Sequence, residues 1–334
     1  MKSNTNFRFS LGRRVGICPQ CGHRTLKLYE DRATGWALDA AVGRCNREVK
    51  CKYHVTPAQY FAAGGHAPAV PAGWVAPPLP PPDEFVTIGQ RRSPLDTLRR
   101  NALFRYMASM FGEDLVKRVW DEYQVMNSGW RGGAVGFSYV DHLGRCRSIK
   151  LMRYLPDGHR CKLGGMGFNV TWAHSLALPG RANFRFRACL FGAHLLLGGH
   201  HGATVYIVES EKSALMLACY LSKQFFEGAV VCLASGGASG IATASEPISD
   251  RFSRCFPLAG RRVVLLPDAD MVERWTAYAG ALTDHVRSIA VADVRRAPFF
   301  LTGSDDIADF IEAEYRRSGP GSFHVYDLLN LKES

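Results

Sequence analysis

Two apolar, β-branched-rich runs that end in acid dominate the hydropathy pattern: Val205 to Glu209 in VYIVESEKSALML, and Arg261 to Pro267 leading into Asp268-Ala-Asp270 in RRVVLLPDAD. Such runs predict buried parallel strands that deliver carboxylates at their C-terminal edge. Around them the pattern predicts a helix from Glu211 to about Leu221, a strand from Ala229 to Ala234, a helix through Trp275 to Val286, a strand from Ile289 to Val294 and a helix from Ser304 to Arg317. Alternating strands and helices imply a mostly parallel α/β sheet. Ligands of such sheets bind outside the carboxyl ends of the strands, so Glu209, Asp268 and Asp270 are expected to meet there. Two carboxylates about 4 Å apart repel by roughly 4 kcal/mol at an effective dielectric near 20, a penalty that a divalent cation removes.

Upstream the periodicity changes. LDTLRRNALFRYMASMF and EDLVKRVWDEYQV carry apolar residues at helical spacing, with a break at Gly112 and an end at Asn127-Ser128-Gly129. Two β-rich runs follow, joined by a turn at Asp141-His142-Leu143-Gly144, and they bear Arg145, Arg147, Lys150 and Arg153. Strict alternation places Lys150 on the face opposite Arg147 and Arg153, so one continuous basic stripe requires a bulge. Before these elements, GGHAPAVPAGWVAPPLPPPDE is too rich in proline for a helix and reads as a semi-rigid tether. Ahead of the tether, LKLYED and WALD predict strands of a small ribbon joined by a turn at Ala33-Thr34-Gly35, and Pro57 to Ala63 predicts a short helix.

That ribbon holds the clearest chemistry. Cys18-x-x-Cys21 and the later pair Cys45 and Cys51 can close a tetrahedron of soft ligands suited to Zn2+. His54 is the rival for the fourth place, because Cys51-x-x-His54 also has a workable spacing. So little apolar material needs a metal staple to fold. The other cysteines, Cys146, Cys161, Cys189, Cys219, Cys232 and Cys255, are scattered among apolar neighbours and read as packing thiols. With 334 residues, 47% of them hydrophobic, the chain can bury a sizeable core. Its formal net charge of +11 points to a polyanionic partner. No apolar run is long enough to span a bilayer and the N-terminus has no signal-peptide core, so no membrane role and a cytoplasmic location are expected.

The succession of a strand ending in Glu209, the small-residue loop CLASGGASG (Cys232 to Gly240) and Asp268-Ala-Asp270 resembles the TOPRIM domain shared by bacterial primases, topoisomerases and some nucleases. The resemblance implies Glu209 as general acid/base or metal ligand, and Asp268 and Asp270 as ligands of Mg2+ or Mn2+. Glu211 and Lys212 would face the same site. Ser235, Gly236, Gly237 and Gly240 would let backbone amides approach a phosphate, and Asp306 and Asp309 of DDIADF would reach the metals through water. The segment bearing Arg145, Arg147, Lys150 and Arg153 resembles the one that lines the template and nucleotide groove of bacterial primases. The organisation implied is a zinc ribbon (1–63), a linker (64–94), a helical and β-rich primase-core-like segment (95–200), a Rossmann-like TOPRIM catalytic domain (201–317) and a tail (318–334). The function implied is synthesis of short RNA primers from ribonucleoside triphosphates on single-stranded DNA, in a phage or mobile element, with a replicative helicase as a further partner. A TOPRIM nuclease and a non-catalytic, zinc-dependent DNA-binding module are the alternatives.

Overall fold

The computed structural model describes residues 9–31, 36–47, 50–67, 92–161, 170–176, 186–197, 202–223, 228–237, 241, 253–293, 295 and 306–318. The chain separates into two compact units, Met1–Pro81 and Pro82–Ser334. Most of the tether expected from its prolines, the turn at Ala33-Thr34-Gly35 and nearly all of the tail lie outside the described residues.

In the first unit, β1 (Phe9–Gly16), β2 (Leu26–Asp31) and β3 (Gly43–Cys45) form an antiparallel sheet in that order. Strand β1 has no counterpart in the hydropathy reading. Its register slips between Leu11 and Val15, which breaks the alternation that would have announced it. The strand expected at WALD reduces to a single bridge between Ala37 and Glu30. Helix α1 (Pro57–Ala62) forms as expected. Thr56 and Gln59 close a reciprocal capping box at its start, and Pro57 supplies a preset φ where no amide partner is needed.

The second unit opens with α2 (Leu95–Leu98), α3 (Ala102–Phe111) and α4 (Glu113–Glu122). The helical run expected up to Phe111 is therefore divided. Asn101 divides it, because its side chain accepts the amides of Leu103 and Phe104 and caps α3. Its Nδ2 also reaches Asn127 Oδ1 (2.9 Å) and the Ala134 carbonyl (3.3 Å), which anchors the helix to a sheet. Helix α4 stops at Glu122, earlier than its pattern suggests, and Gln124 turns the chain at a φ of 54° into an unforeseen strand, β4 (Val125–Ser128). With β5 (Ala134–Val140), β6 (Cys146–Met152) and β7 (Val170–Trp172) it forms an antiparallel sheet, β4-β5-β6-β7, and α5 (Ala173–Leu176) follows. Every residue of β5 and β6 is buried. One face covers a small cluster of Val140, Cys146, Ile149 and Leu151, while Val135, Phe137, Tyr139 and Met152 enter the main core.

The parallel sheet comprises β8 (Thr204–Val208), β9 (Val230–Ala234), β10 (Arg262–Leu266) and β11 (Ser288–Val291), in the order β11-β10-β8-β9. All three ladders are parallel, as the acid-ended runs implied. Val205, Ile207, Val263 and Leu265 face Trp275 and Ala279 of α7 (Val272–Leu282). Tyr206, Val208, Val264 and Leu266 face the opposite core, which holds α6 (Glu211–Ser222) and α8 (Ile307–Ser318). Phe104, Trp120 and Phe137 belong to that same core, so α3, α4, β5 and the parallel sheet pack as one unit. Strand β9 is at the sheet edge, where free amides invite unwanted pairing. Phe191 bridges Ala234 there, and the Tyr123 hydroxyl donates to the Cys232 carbonyl (2.8 Å) while accepting its amide (3.3 Å).

Replacing Asn101 by Ala removes a cap and two anchoring bonds from a buried position, and should lower unfolding free energy by about 2 kcal/mol in denaturant titration. A change within a few tenths would show that the division of the helices does not depend on it.

Candidate metal centres and the acidic strand edge

In the ribbon, the sulfurs of Cys18, Cys21, Cys45 and Cys51 all lie within 4.8 Å of one another. Cys18 and Cys51 are 3.6 Å apart and Cys21 and Cys45 3.9 Å. A zinc tetrahedron with bonds of about 2.3 Å has sulfur–sulfur edges of about 3.8 Å, so the four fit that ion. The first pair sits on a tight turn in which Gly22, at a φ of 67°, donates to the Cys18 carbonyl (2.9 Å). Without a cation such crowding splits the thiols. A hydrogen bond from the His23 backbone brings Cys21 down to about 6, whereas burial pushes Cys51 up to about 12. His54, the rival fourth ligand, belongs to neither arrangement: its ring stacks on Tyr29, with Nε2 3.0 Å from the phenol oxygen.

In the second unit the registers Val208↔Ala234 and Val208↔Leu266 bring three chain segments to one edge. Glu209 follows β8, Ser235 and Gly236 follow β9, and Asp268 stands two residues past β10. Glu209 is buried, and its Oε1 has no hydrogen-bond partner. Burial pushes it up to about 7, reinforced by Asp270 and Asp306 and opposed by the Asp268 amide. Burial, then the charges of Glu209, Asp306 and Asp270, lift Asp268 to about 8 against the pull of Arg160. Asp270 is exposed on the short turn that leads into α7. Asp306 adds its charge to both carboxyls and is held by Ser213, whose hydroxyl donates to it at 2.8 Å. It also caps α8: the Ala308 amide reaches it at 2.7 Å. Asp309 closes that cap from the other side by accepting the Asp306 amide (3.1 Å).

Oxygens that share one magnesium at about 2.1 Å lie within about 4.2 Å of one another. Among the described residues, only the four cysteines gather three or more candidate ligand atoms within 4.8 Å. The acids are therefore coupled in charge but more widely spread than the thiols.

The residues flanking Glu209 are arranged differently from the expectation. Glu211 does not face the acidic edge. It is fully buried at the start of α6, accepting from the Tyr139 hydroxyl and from Lys150 Nζ at 2.8 Å. Burial alone would raise its carboxyl, but the Lys150 charge and these hydrogen bonds hold it below the usual range. Lys212 is likewise engaged elsewhere, donating to the Gly158 carbonyl (3.1 Å) with its ammonium over the Tyr106 ring.

In the glycine loop, the two described amides nearest β9 are already engaged within the protein. The Gly236 amide donates to the Glu209 carbonyl (3.0 Å) and the Ser235 amide to that of Val208 (2.9 Å), so neither faces outward. Gly236 is required by geometry, with a φ of 80° and a Cβ that would lie 2.5 Å from the Tyr139 hydroxyl. Gly237 has a φ of 148°, and Gly240 lies outside the described residues. Lys150 Nζ approaches the Gly236 carbonyl (3.4 Å), tying loop, helix and antiparallel sheet together.

The four basic residues of the β5–β6 hairpin do not form one stripe. The bulge that a stripe would need exists, since Val140 pairs with Cys146 and Tyr139 with Ser148, leaving Arg147 as the extra residue. It turns Arg147 toward Asp141, whose Oδ2 accepts from Nε of Arg147 (2.8 Å) and of Arg145 (3.0 Å). Lys150 is consumed by Glu211, and Arg153 stands half-buried past β6. Arg160 and Arg274, which act on Asp268 and Glu209, and Tyr139 were not legible beforehand; no motif marks an isolated residue that meets its partner only in three dimensions. The scattered cysteines are buried, as their surroundings suggested.

Comparison with known proteins adds the following. Residues 101–269 match the family described as Domain of unknown function (DUF6371), and residues 7–66 match the zinc beta-ribbon finger family. No curated protein matches the chain. It is similar to the primase fragment of the bacteriophage T7 primase-helicase protein, at 17% identity and a TM-score of 0.39, over 65% of this chain and 69% of that one. It is also similar to the zinc-binding and RNA polymerase domains of the Aquifex aeolicus primase, at 14% identity and a TM-score of 0.34, over 67% of this chain and 61% of that one. Both likenesses are distant, and no residue role follows from them. No described helix is long and apolar enough to cross a membrane.

Two outcomes are expected. An acid with a raised pKa holds a proton that the unfolded chain releases near pH 4, so metal-free stability should fall as pH climbs through about 7 to 8. Asp268→Asn should therefore raise the Tm in chelator at pH 8 and change it little at pH 4; a lower Tm at pH 8 would contradict the crowding. Lys150→Met strands the buried Glu211 and should cost about 3–5 kcal/mol in denaturant titration, with most of it recovered by adding Glu211→Gln. No recovery would show that the lysine acts by packing alone.

Proposed function

The chain belongs to the DUF6371 family, and from that premise we propose that it is a primase-like nucleotidyltransferase of TOPRIM type, joining ribonucleotides on a single-stranded DNA template. The observation that carries this reading is the pair Glu209, buried, and Asp268, half-buried, at the ends of neighbouring parallel strands and both pushed up, to about 7 and about 8. Fixed structure alone gives little reason to crowd two repelling acids together away from bulk water. A site that recruits divalent cations does.

Asp268 and Asp270 are the residues that would hold Mg2+ or Mn2+, with Asp306, oriented by Ser213, at the margin. When bound, such ions lower the pKa of an attacking 3′-hydroxyl and neutralise a triphosphate from which pyrophosphate departs. Glu209, titrating near pH 7, is suited to take up or return the proton of that hydroxyl. Arg160 and Arg274 bring positive charge to the same carboxyls and would favour approach of an anionic nucleotide. The buried Lys150–Glu211–Tyr139 contact keeps the loop after β9 and the end of β8 in place, so that the acids retain their spacing. The zinc ribbon would hold the template, and its own function is separable from the acidic edge.

Incubation with a single-stranded DNA template, labelled ribonucleoside triphosphates and magnesium or manganese should yield short labelled products, and Asp268→Ala should reduce them to background while leaving template binding intact. Degradation of the template without synthesis would overturn primer synthesis in favour of nuclease chemistry.

A further inference from the structure

The first residues of β9 border a cleft of about 430 Å3, within the size range of small-molecule sites. Its walls are the C-terminal turns of α4 and α6, Leu195 and the outer edge of β9. The acids described above follow the carboxyl ends of β8 and β10, whereas this cleft starts at Gly228 and Val230, toward the opposite end of the sheet.

One backbone pair is open there. The Thr204 amide donates to the Ala229 carbonyl (3.1 Å) and the Ser235 amide to the Val208 carbonyl (2.9 Å). With the β8–β9 register, alternate residues of β9 therefore address β8, while Val230, Cys232 and Ala234 address the outside. The Tyr123 hydroxyl takes up both backbone groups of Cys232, and the Phe191 backbone both groups of Ala234. Val230 is half-buried and has no such cover among the described residues, so its N–H and C=O border the cleft and call for an external partner.

The other walls are chemically divided. Leu195, Ala218 and the Tyr123 ring are apolar surfaces, and the Ser222 hydroxyl is turned back onto the Ala218 carbonyl (2.7 Å). Both helices present their C-terminal turns, whose partial negative charge opposes an anion in the interior. Formal charge is confined to Arg118 and Glu122, exposed on successive turns of α4. Glu122 acts on Cys219 and Cys232, and Arg118 on Cys219, so both charges lie over the cleft. The interior thus suits a flat, neutral ring with hydrogen-bonding edges, and the mouth suits hydroxyls and an anionic tail.

We propose that this cleft binds a nucleoside or nucleotide, with its base inside, its ribose at Glu122 and its phosphate, when it has one, outside at Arg118. Neighbouring acceptor and amino groups on the edge of a base match the N–H and C=O of Val230. A carboxylate accepts from ribose hydroxyls, and a guanidinium pairs with phosphate. This is a second site, separate from the acidic strand edge, and it does not rest on primer synthesis, because the base is read without a divalent cation.

The test uses the zinc-loaded full chain with no other divalent cation added, and measures binding of adenosine, 2′,3′-dideoxyadenosine and AMP calorimetrically, with Tm as the check on folding. Ser222→Phe puts a ring into the cleft from an exposed position and should weaken adenosine by about tenfold or more. Glu122→Ala should weaken adenosine by about tenfold, through lost bonds to a charged acceptor, and leave the dideoxynucleoside unchanged. Arg118→Gln should bring AMP down to the affinity of adenosine without altering adenosine itself. Asp268→Asn should change none of the three. Absence of saturable adenosine binding to the unaltered chain would overturn the proposal, and so would binding that persists in folded Ser222→Phe. Binding abolished by Asp268→Asn would overturn it too, by moving the nucleoside to the acidic edge. If Ser222→Phe does not fold, the exposed positions decide: adenosine indifferent to Glu122→Ala, or AMP indifferent to Arg118→Gln, would overturn it.

Discussion

Glu209 and Asp268 are neighbours because β8 and β10 are hydrogen-bonded in parallel register, and the first is buried and the second half-buried at the strand ends. Their mutual repulsion is the constraint around which the rest of this edge is arranged. Asp306 adds to it from α8 and Asp270 from the turn before α7. Among the described residues, nothing at the edge neutralises the set fully. Arg160 and Arg274 reduce the penalty, but both carboxyls still titrate near neutrality. Carboxyls poised in this way exchange protons for cations at little expense, and the proposed cation site rests on that property.

The edge keeps its shape through a second buried interaction, the contact of Glu211 with Lys150 and Tyr139. It joins the first residue of α6 to two strands of the antiparallel sheet, and through the Gly236 carbonyl to the loop after β9. A buried ion pair of this kind is a weak source of net stability, and here it fixes geometry through Glu211 Oε1, which takes both bonds while Oε2 has no partner. The shared apolar core around Phe104, Trp120, Phe137 and Leu217 supplies the stability instead. The ribbon is organised by the same logic on a smaller scale, with four sulfurs whose crowding only a cation relieves.

How much of this could be read from the residues alone depended on whether the signal was local. The parallel strands were legible because both faces of each are covered, so they appear as unbroken apolar runs ending in acid. The cysteine pairs were legible because their spacing is itself the chemistry. Strand β4 was hidden behind a helix whose apolar spacing continued into it, and only the left-handed Gln124 marks the change. Glu211 and Lys212 were placed at the acidic edge because they follow Glu209 in the chain, but the first turn of α6 rotates them toward other partners. The glycines after β9 suggested a phosphate cradle by composition. What demands glycine at position 236 is the Tyr139 hydroxyl, 72 residues earlier than its own partner Glu211 and invisible to any local pattern.

The central claim, that the crowded carboxyls at the strand edge form a cation site, can be tested by calorimetric titration of Mn2+ near pH 7 into zinc-loaded protein, in two buffers of different ionisation enthalpy. The account requires Mn2+ binding accompanied by proton release, with the released proton lost in Asp268→Asn. Binding without proton release, or a titration that Asp268→Asn leaves unaltered, would contradict it.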